Sequence, residues 1–90
     1  MSKEGAAEAI ETAARRIASA VINDERRWRT IDSASDKAEM VDAVMGQVLD
    51  VLQDWRWLES QGLASRDFGQ VLICAVAMIH AHASGKRGVQ

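Results

Sequence analysis

The residues best suited to chemistry are one cysteine and two histidines near the C-terminal end, Cys74, His80 and His82. Residues two apart on a helix project about 160° away from each other, so the two histidines cannot share a metal ion within one chain. Cys74 and His80 also fall on different sides of a helix. We therefore interpret both histidines as structural, and Cys74 as an inert small residue in an apolar helix.

Carboxylates are concentrated in the middle of the chain, where residues 32–60 carry seven acidic and two basic side chains. A general acid or base normally needs a pocket that shifts its pKa, and a carboxylate on the outer face of a helix has none. The sequence also contains no glycine-rich phosphate loop and nominates no Ser-His-Asp set. We therefore predict a protein that is not an enzyme and that needs no metal ion or cofactor.

The best candidate for a binding surface is the back of the second predicted helix. Opposite its apolar stripe lie Glu39, Gly46, Asp50 and Trp57, with Asp54 at the side. A glycine in mid-helix costs about 1 kcal/mol relative to alanine, and like charges four residues apart repel. Residues that weaken the fold are candidates for binding. We predict that this face binds a larger protein with a basic surface, with Trp57 as the anchor. The alternative is that Trp57 covers a loop or a neighbouring helix end.

A second candidate site is the run Arg26, Arg27, Trp28 and Arg29. Arginines bind phosphates, and a tryptophan beside them can stack on a base. Cations also suit the C-terminal end of a helix, where they interact favourably with its dipole. We expect helix capping and packing to be the main role of this run. Nucleic-acid or nucleotide binding through it is the alternative function.

Hydrophobic periodicity predicts three helices that position these side chains, and no proline interrupts them. The predicted helices cover residues 3–29, 34–60 and 66–84, and residues 85–90 form a frayed basic tail. Asp24 falls on the inner face of the first helix. We expect it at the edge of that face, reaching Arg27 or solvent, with a buried contact as the alternative because an unpaired buried charge is costly.

Turn residues set the boundaries of the second helix and the start of the third. Ser33 or Ser35 is the expected N-cap of the second helix, with acidic side chains in its first turn. Gly62 suits the left-handed position that follows a helix, which would bring Leu63 against Leu58 in a Schellman motif. Ser65 is the expected N-cap of the third helix, with Asp67 in its first turn.

The third predicted helix contains the longest apolar run, Val71–Ile79. Its inner face is wide, and its back is a narrow stripe of small residues with Ile73 as the one large apolar member. A core rich in alanine and valine is thin, and single cores of this size often contribute only ~3–5 kcal/mol. We therefore predict a homodimer with Ile73, Ala77 and Cys74 as candidate interface residues.

The bulk composition fits one folded domain. The chain has 90 residues, of which 48% are hydrophobic and 27% charged, which is typical of a globular protein rather than a disordered one. The net charge of −2 gives no general attraction to nucleic acid or membranes. One cysteine excludes an internal disulfide, and the first residues lack an apolar signal core. We expect a cytoplasmic all-α protein, a single domain over residues 1–90 built as a small three-helix bundle, that regulates or inhibits a protein partner.

Overall fold

The computed structural model describes residues 3–53 and 55–87, and in these two ranges the chain is all-helical. The helices, in chain order, are α1 (Lys3–Ile22), α2 (Glu25–Asp32), α3 (Lys37–Leu52), α4 (Trp55–Ser60) and α5 (Phe68–Arg87), with a 3₁₀ turn at Ser65–Asp67. The prediction of an all-α protein is confirmed. The first two predicted helices, however, are each divided in two.

The first predicted helix, 3–29, is interrupted at Asn23 and Asp24. Asp24 adopts an extended conformation and acts as the N-cap of α2, because its Oδ1 accepts hydrogen bonds from the amides of Arg26 at 3.0 Å and Arg27 at 3.1 Å. An aspartate satisfies the free amides of a helix start better than it fits a helix interior. The expected edge position and contact with Arg27 are present, but the prediction of one continuous helix through Asp24 is wrong.

The second predicted helix, 34–60, starts later and is also interrupted. Asp36 is the N-cap of α3, accepting a hydrogen bond from the amide of Glu39 at 2.8 Å, so the expectation of a serine cap is wrong. The carboxylate carries charge toward the positive end of the helix dipole, which favours aspartate at this position. α3 then ends at Gln53, whose φ of 52° takes the backbone out of the helical region.

The turn after α4 follows the predicted pattern. Gly62 has a φ of 77°. Its amide donates to the carbonyl of Glu59 at 2.9 Å, and the amide of Leu63 donates to the carbonyl of Leu58 at 2.9 Å. These two bonds define a Schellman motif. Leu58 and Leu63 are both buried, so the prediction for Gly62 and Leu63 is confirmed.

α5 begins and ends later than the predicted helix 66–84. The amide of Ala64 donates to Asp67 Oδ2 at 3.0 Å at the start of the 3₁₀ turn that precedes α5. The side chain of Asp67 therefore satisfies a free amide there, and Ser65 is not the N-cap. The helix continues through Gly85 to Arg87, because a glycine weakens a helix without having to end it. The predicted frayed tail is therefore wrong for residues 85–87, and residues 88–90 lie outside the described ranges.

The core is apolar and rich in small side chains. α5 packs mainly against α1 and then against α3. Within the described part of the chain, no polar or charged side chain is buried. The buried residues are Ala13, Ala14, Ile17, Ala18, Val21, Ile31, Met40, Val44, Val48, Leu52, Leu58, Leu63, Val71, Ala75, Ile79 and Ala83. Buried alanines lie on both α1 and α5, where these two helices pack together, and such small side chains permit close approach.

Candidate functional site

Trp57, the predicted binding anchor, is half-buried. Its side chain packs against the hydrophobic core rather than standing on an open polar face. Trp57 lies on α4, whereas Glu39, Gly46 and Asp50 lie on α3, and the backbone leaves the helical region between the two helices at Gln53. The structure therefore separates Trp57 from the acidic residues with which it was predicted to act.

Asp50 forms an ion pair that joins α3 to α2. Arg27 Nη1 lies 2.5 Å from Asp50 Oδ2 and also donates to Gln47 Oε1 at 3.0 Å. The Asp50 side chain remains 63% exposed and the Arg27 side chain 27% exposed. An exposed pair of this kind contributes little to stability, about 0–1 kcal/mol, but it neutralises part of the predicted acidic surface.

Glu39 completes the start of α3. Its Oε2 accepts hydrogen bonds from the amide of Ser35 at 2.8 Å and from the hydroxyl of Ser35 at 2.5 Å. The hydroxyl, and after it the amide, holds the pKa of Glu39 below its ordinary value of 4.5. The carboxylate therefore has a local structural role at the helix end, although it is exposed.

Glu39 should make stability depend on pH in the acid range. Its pKa is lower in the folded chain than the ordinary 4.5, so its contribution is present above that value and is lost as pH falls through the folded pKa. Glu39→Gln should therefore be less stable than the parent chain near pH 7, and the difference should shrink as the pH falls below 4.5. Urea unfolding near pH 7 and at a pH below 4.5 measures this. Glu8→Gln is the control, because this exposed carboxylate does not cap a helix start. A loss of stability in Glu39→Gln that does not change with pH would contradict this role of the Glu39 carboxylate.

Gly46 lies in an open part of α3. Apart from the backbone of its own helix, no atom lies within 4 Å of the position that a Cβ would take. Packing therefore does not require a glycine there. Asp42, Gly46 and Asp50 are spaced by four, so they run along one side of the helix, and all three are exposed. We call these three residues the acidic edge. Asp54, predicted to extend this surface, lies outside the residues that the structure describes.

The arginine run is divided among different contacts. Arg27 pairs with Asp50, and Arg29 Nη2 lies 3.2 Å from Glu25 Oε1. Trp28 is half-buried and meets the ring of His82 edge-on, with centroids 5.1 Å apart and an interplanar angle of 81°. Arg26 is exposed. The four side chains do not form one free basic surface with an exposed ring.

A polar cleft of about 620 Å³ lies between α2 and α3. Arg26, Arg27, Asp24 and Asp50 are among the residues that line it. The backbone amides of the two arginines already donate to Asp24, and the charges of opposite sign are mixed. A cleft that satisfies its own charges in this way has no marked preference for an anion or a cation.

An apolar groove lies between α3 and α5, with a volume of about 530 Å³. We call it the apolar groove. Its lining residues carry one formal charge, that of Lys37, and no acidic side chain. The groove is lined by Lys37, Val41, Met45, Leu72, Ile73, Val76, Ala77, His80 and Ala81.

Exposed apolar side chains are concentrated at this groove. Of the side chains that the structure describes, three large apolar ones are exposed: Ile73 at 65%, Leu49 at 43% and Val41 at 37%. Ile73 and Val41 line the groove, and Leu49 continues the row of Val41 and Met45 along α3 at the same spacing of four. Water meets this apolar surface unless another molecule covers it.

The groove includes some of the residues that were predicted to form an interface. Ile73 and Ala77, predicted interface residues, both line it, whereas Cys74 is half-buried and packs against the core. Val41 and Val48 share a heptad spacing, yet Val41 is exposed and Val48 is buried. The signal that was missed is the width of the apolar stripe on α3. This stripe is wider than the part of α3 that α1 and α5 can cover.

The two histidines are placed differently. His80 lines the apolar groove. His82 packs against Trp28, and its Nε2 atom is buried without a hydrogen-bond partner. No three Cys, His, Asp or Glu side chains within the described ranges are grouped to hold a metal ion.

By length and composition alone, the segment Ser65–Gly85 could cross a membrane, a property that core helices of water-soluble proteins share.

Three comparisons were made, with protein-family models, with curated proteins and with solved structures, and none finds a match. The candidate sites therefore depend on geometry and chemistry alone.

Proposed function

We propose that this chain is a non-enzymatic protein-interaction module, a homodimer that regulates or inhibits a larger protein. The observation that carries the proposal is the apolar groove, because exposed apolar side chains gathered on one face are the usual mark of a protein interface. We further propose a three-helix frame of α1, α3 and α5, a cytoplasmic location, and no cofactor or membrane partner.

The larger partner is proposed to bind at the acidic edge. Asp42 and Asp50 supply negative charge, and Gly46 between them leaves the backbone open to close approach. A glycine that packing does not need costs the helix about 1 kcal/mol, which is understandable if a partner uses the space. Exposed carboxylates mainly steer and orient a basic surface. Trp57 is not part of this proposed site, because it packs against the core.

The test is a double variant, Asp42→Lys with Gly46→Lys, used to capture partners from the native host. Both positions are exposed, and lysine is a better helix former than glycine, so folding should be retained. We expect the specific partner to be lost, because the charge is reversed and the open backbone is covered. The yield of partner, measured at low and at moderate salt, is the readout, since steering by exposed charges weakens as salt increases.

The matched control is Glu8→Lys with Thr12→Lys on α1. These two exposed residues have the same spacing and give the same change in net charge. The control should capture the partner at the parent yield. Equal capture by both double variants, or no partner in the host at any salt concentration, would refute the proposal.

Nucleic-acid binding through Arg26, Arg27, Trp28 and Arg29 is not supported by a specific observation. Arg27 and Arg29 are ion-paired, and Trp28 packs against His82, so stacking on a base would require contacts within the chain to be broken. We therefore do not carry it forward as a second function.

A further inference from the structure

We infer that Gln53 is a hinge at which α4 can leave the core and continue α3 as one helix over residues 37–60. The structure then holds the docked form of an element with two states, the docked form and the continuous helix. The inference rests on the proposed function in one respect, the binding role of the acidic edge. It goes further by assigning a regulation to that edge, because the continuous helix places Trp57 beside it.

The first argument is the backbone of Gln53, whose φ of 52° and ψ of −67° lie outside both helical regions. Within the described ranges, Gln53 is the one residue with a Cβ that has a positive φ. Such conformations are strained and persist only while the surrounding structure holds them. The side chain of Gln53 is exposed, so its own burial does not hold this conformation. A continuous helix would release the strain at this junction.

The second argument is the sequence around the break. Residues 47–61 contain neither glycine nor proline, the two residues that most often end a helix. The amide of Gln53 donates to the carbonyl of Leu49 at 2.9 Å, so helical hydrogen bonding continues up to the break. The spacing of seven from Val44 to Val51 and on to Leu58 also crosses it. The continuous helix therefore has local support on both sides of Gln53.

The third argument is that few contacts hold α4 in the docked form. The helix has six residues, and a helix of that length is not stable alone in water. Of its side chains that the structure describes, only Leu58 is buried, and Trp57 is half-buried. Joining α4 to α3 gives helical partners to the amides at the start of α4, which a separate helix leaves free. These bonds oppose the loss of the contacts with the core.

The connecting segment is long enough for α4 to move while α5 stays in place. Residues 53–60 would lengthen α3 by about 12 Å, at about 1.5 Å for each residue. Residues 61–67, which join α4 to α5, can span roughly 23 Å when extended. α5 can therefore remain packed against α1 and α3.

The movement changes what stands beside the acidic edge. At about 100° for each residue, Trp57 of a continuous helix lies within about 20° of both Gly46 and Asp50 around the helix axis. In the docked form the same ring packs against the core. An aromatic ring beside carboxylates suits the lysines and arginines of a basic protein surface. A partner that uses this ring would shift the chain toward the continuous helix, so the docking of α4 is an autoinhibitory contact.

The test is Leu58→Ala, which removes the buried contact of α4. Cα chemical shifts measured by nuclear magnetic resonance report, residue by residue, whether the backbone is helical. We expect Gln53 to change from a non-helical to a helical shift, residues 55–60 to stay helical, and the shifts of α1 and α5 to remain those of the parent chain. Without a hinge, α4 would unravel once its docking is lost, because six residues do not form a stable helix alone.

The control adds Gln53→Gly to Leu58→Ala. Glycine accepts a positive φ without strain and weakens a helix interior, so residues 55–60 should lose their helical shifts. Gln70→Gly in the same background is the matched control. It makes the same change at an exposed residue of α5, and it should leave the continuous helix intact.

Three results would overturn the hinge. One is a folded Leu58→Ala chain in which Gln53 stays non-helical. Another is a molar mass for Leu58→Ala that differs from the parent mass by light scattering, because α5 would then have been exchanged between copies. If Leu58→Ala does not fold, Leu63→Ala replaces it, since Leu63 is a buried contact just after α4. Failure of both variants to fold would show that α4 cannot leave the core, and is the third result.

The regulatory part is tested by partner capture from the native host. Leu58→Ala should raise the yield of partner above that of the parent chain, and Gln53→Gly alone should lower it. Equal yields from these three chains would overturn the autoinhibition. The chemical shifts need no partner, so a failed hinge leaves capture at the acidic edge untouched. Absence of any partner removes the proposed function and, with it, the regulation, while the shifts still decide the hinge.

Discussion

Replacing Ile79 by alanine should lower the free energy of unfolding by about 2–5 kcal/mol, the range for removing a fully buried Ile side chain. Ile79 is completely buried and is one of the largest side chains in the core. Because small single cores often provide only ~3–5 kcal/mol in total, this substitution should leave much of the chain unfolded at room temperature. Urea and thermal unfolding followed by circular dichroism, at one low protein concentration, measure the loss.

The control for this prediction is Ile73→Ala in the same helix. It removes the same atoms from a side chain that is 65% exposed. The monomer should therefore lose less than about 0.5 kcal/mol, as is usual for surface substitutions. Equal losses at the two positions would show that α5 packs with a different face toward α1 and α3.

Trp57→Ala should destabilise the protein by about 2 kcal/mol, roughly half the loss from a fully buried tryptophan, because the ring is half-buried against the core. The same substitution distinguishes the two interpretations of Trp57. An exposed binding anchor would lose partner affinity without losing stability, whereas a packing residue loses stability first. Urea midpoints and partner capture should be measured on the same preparations.

Trp57→Phe is the control, since a smaller ring retains part of the contact with the core. We expect it to fall between the parent chain and Trp57→Ala in stability. Unchanged stability of Trp57→Ala, together with loss of partner capture, would return Trp57 to the binding site and contradict the packing assigned to it.

The helical character of the chain and the turn at Gly62 could be predicted, because the signals for both are local. The hydrogen bonds around Gly62 join residues no more than five positions apart, and glycine is the residue that accepts a φ of 77° without strain. The face of α5 that enters the core follows a local pattern too, since Val71, Ala75 and Ile79 recur at helical spacing and are all buried.

The two helix breaks could not be predicted in this way. Asn23–Asp24 and Gln53 interrupt segments whose apolar periodicity continues on both sides, so hydrophobic periodicity predicts one long helix in each case. The φ of 52° at Gln53 is uncommon for a residue with a Cβ, and its own chemistry gives no reason to expect it. The packing of α4 is the tertiary contact that follows this break, since Leu58 is buried and Trp57 packs against the core.

The candidate sites were predicted unevenly for the same reason. Gly46 and Asp50 of the acidic edge lie on one helix, so the sequence placed both on the predicted binding face, whereas Asp42 joins them only in the structure. The ion pair from Arg27 to Asp50 joins two helices and was not predicted. The apolar groove also needs two helices, because Val41 and Met45 come from α3 and Ile73 and Ala77 from α5.

The sequence by itself determined that the chain is helical, how the turn at Gly62 is made, and which face of α5 enters the core. Each of these depends on bonds or spacings within one segment. Only the tertiary structure decided where the long segments break, that Trp57 packs inward, and that Val41, Leu49 and Ile73 remain exposed. The physical reason is that helices compete for a limited core, so an apolar stripe can be wider than the surface its neighbours cover. The uncovered remainder includes the apolar groove between α3 and α5.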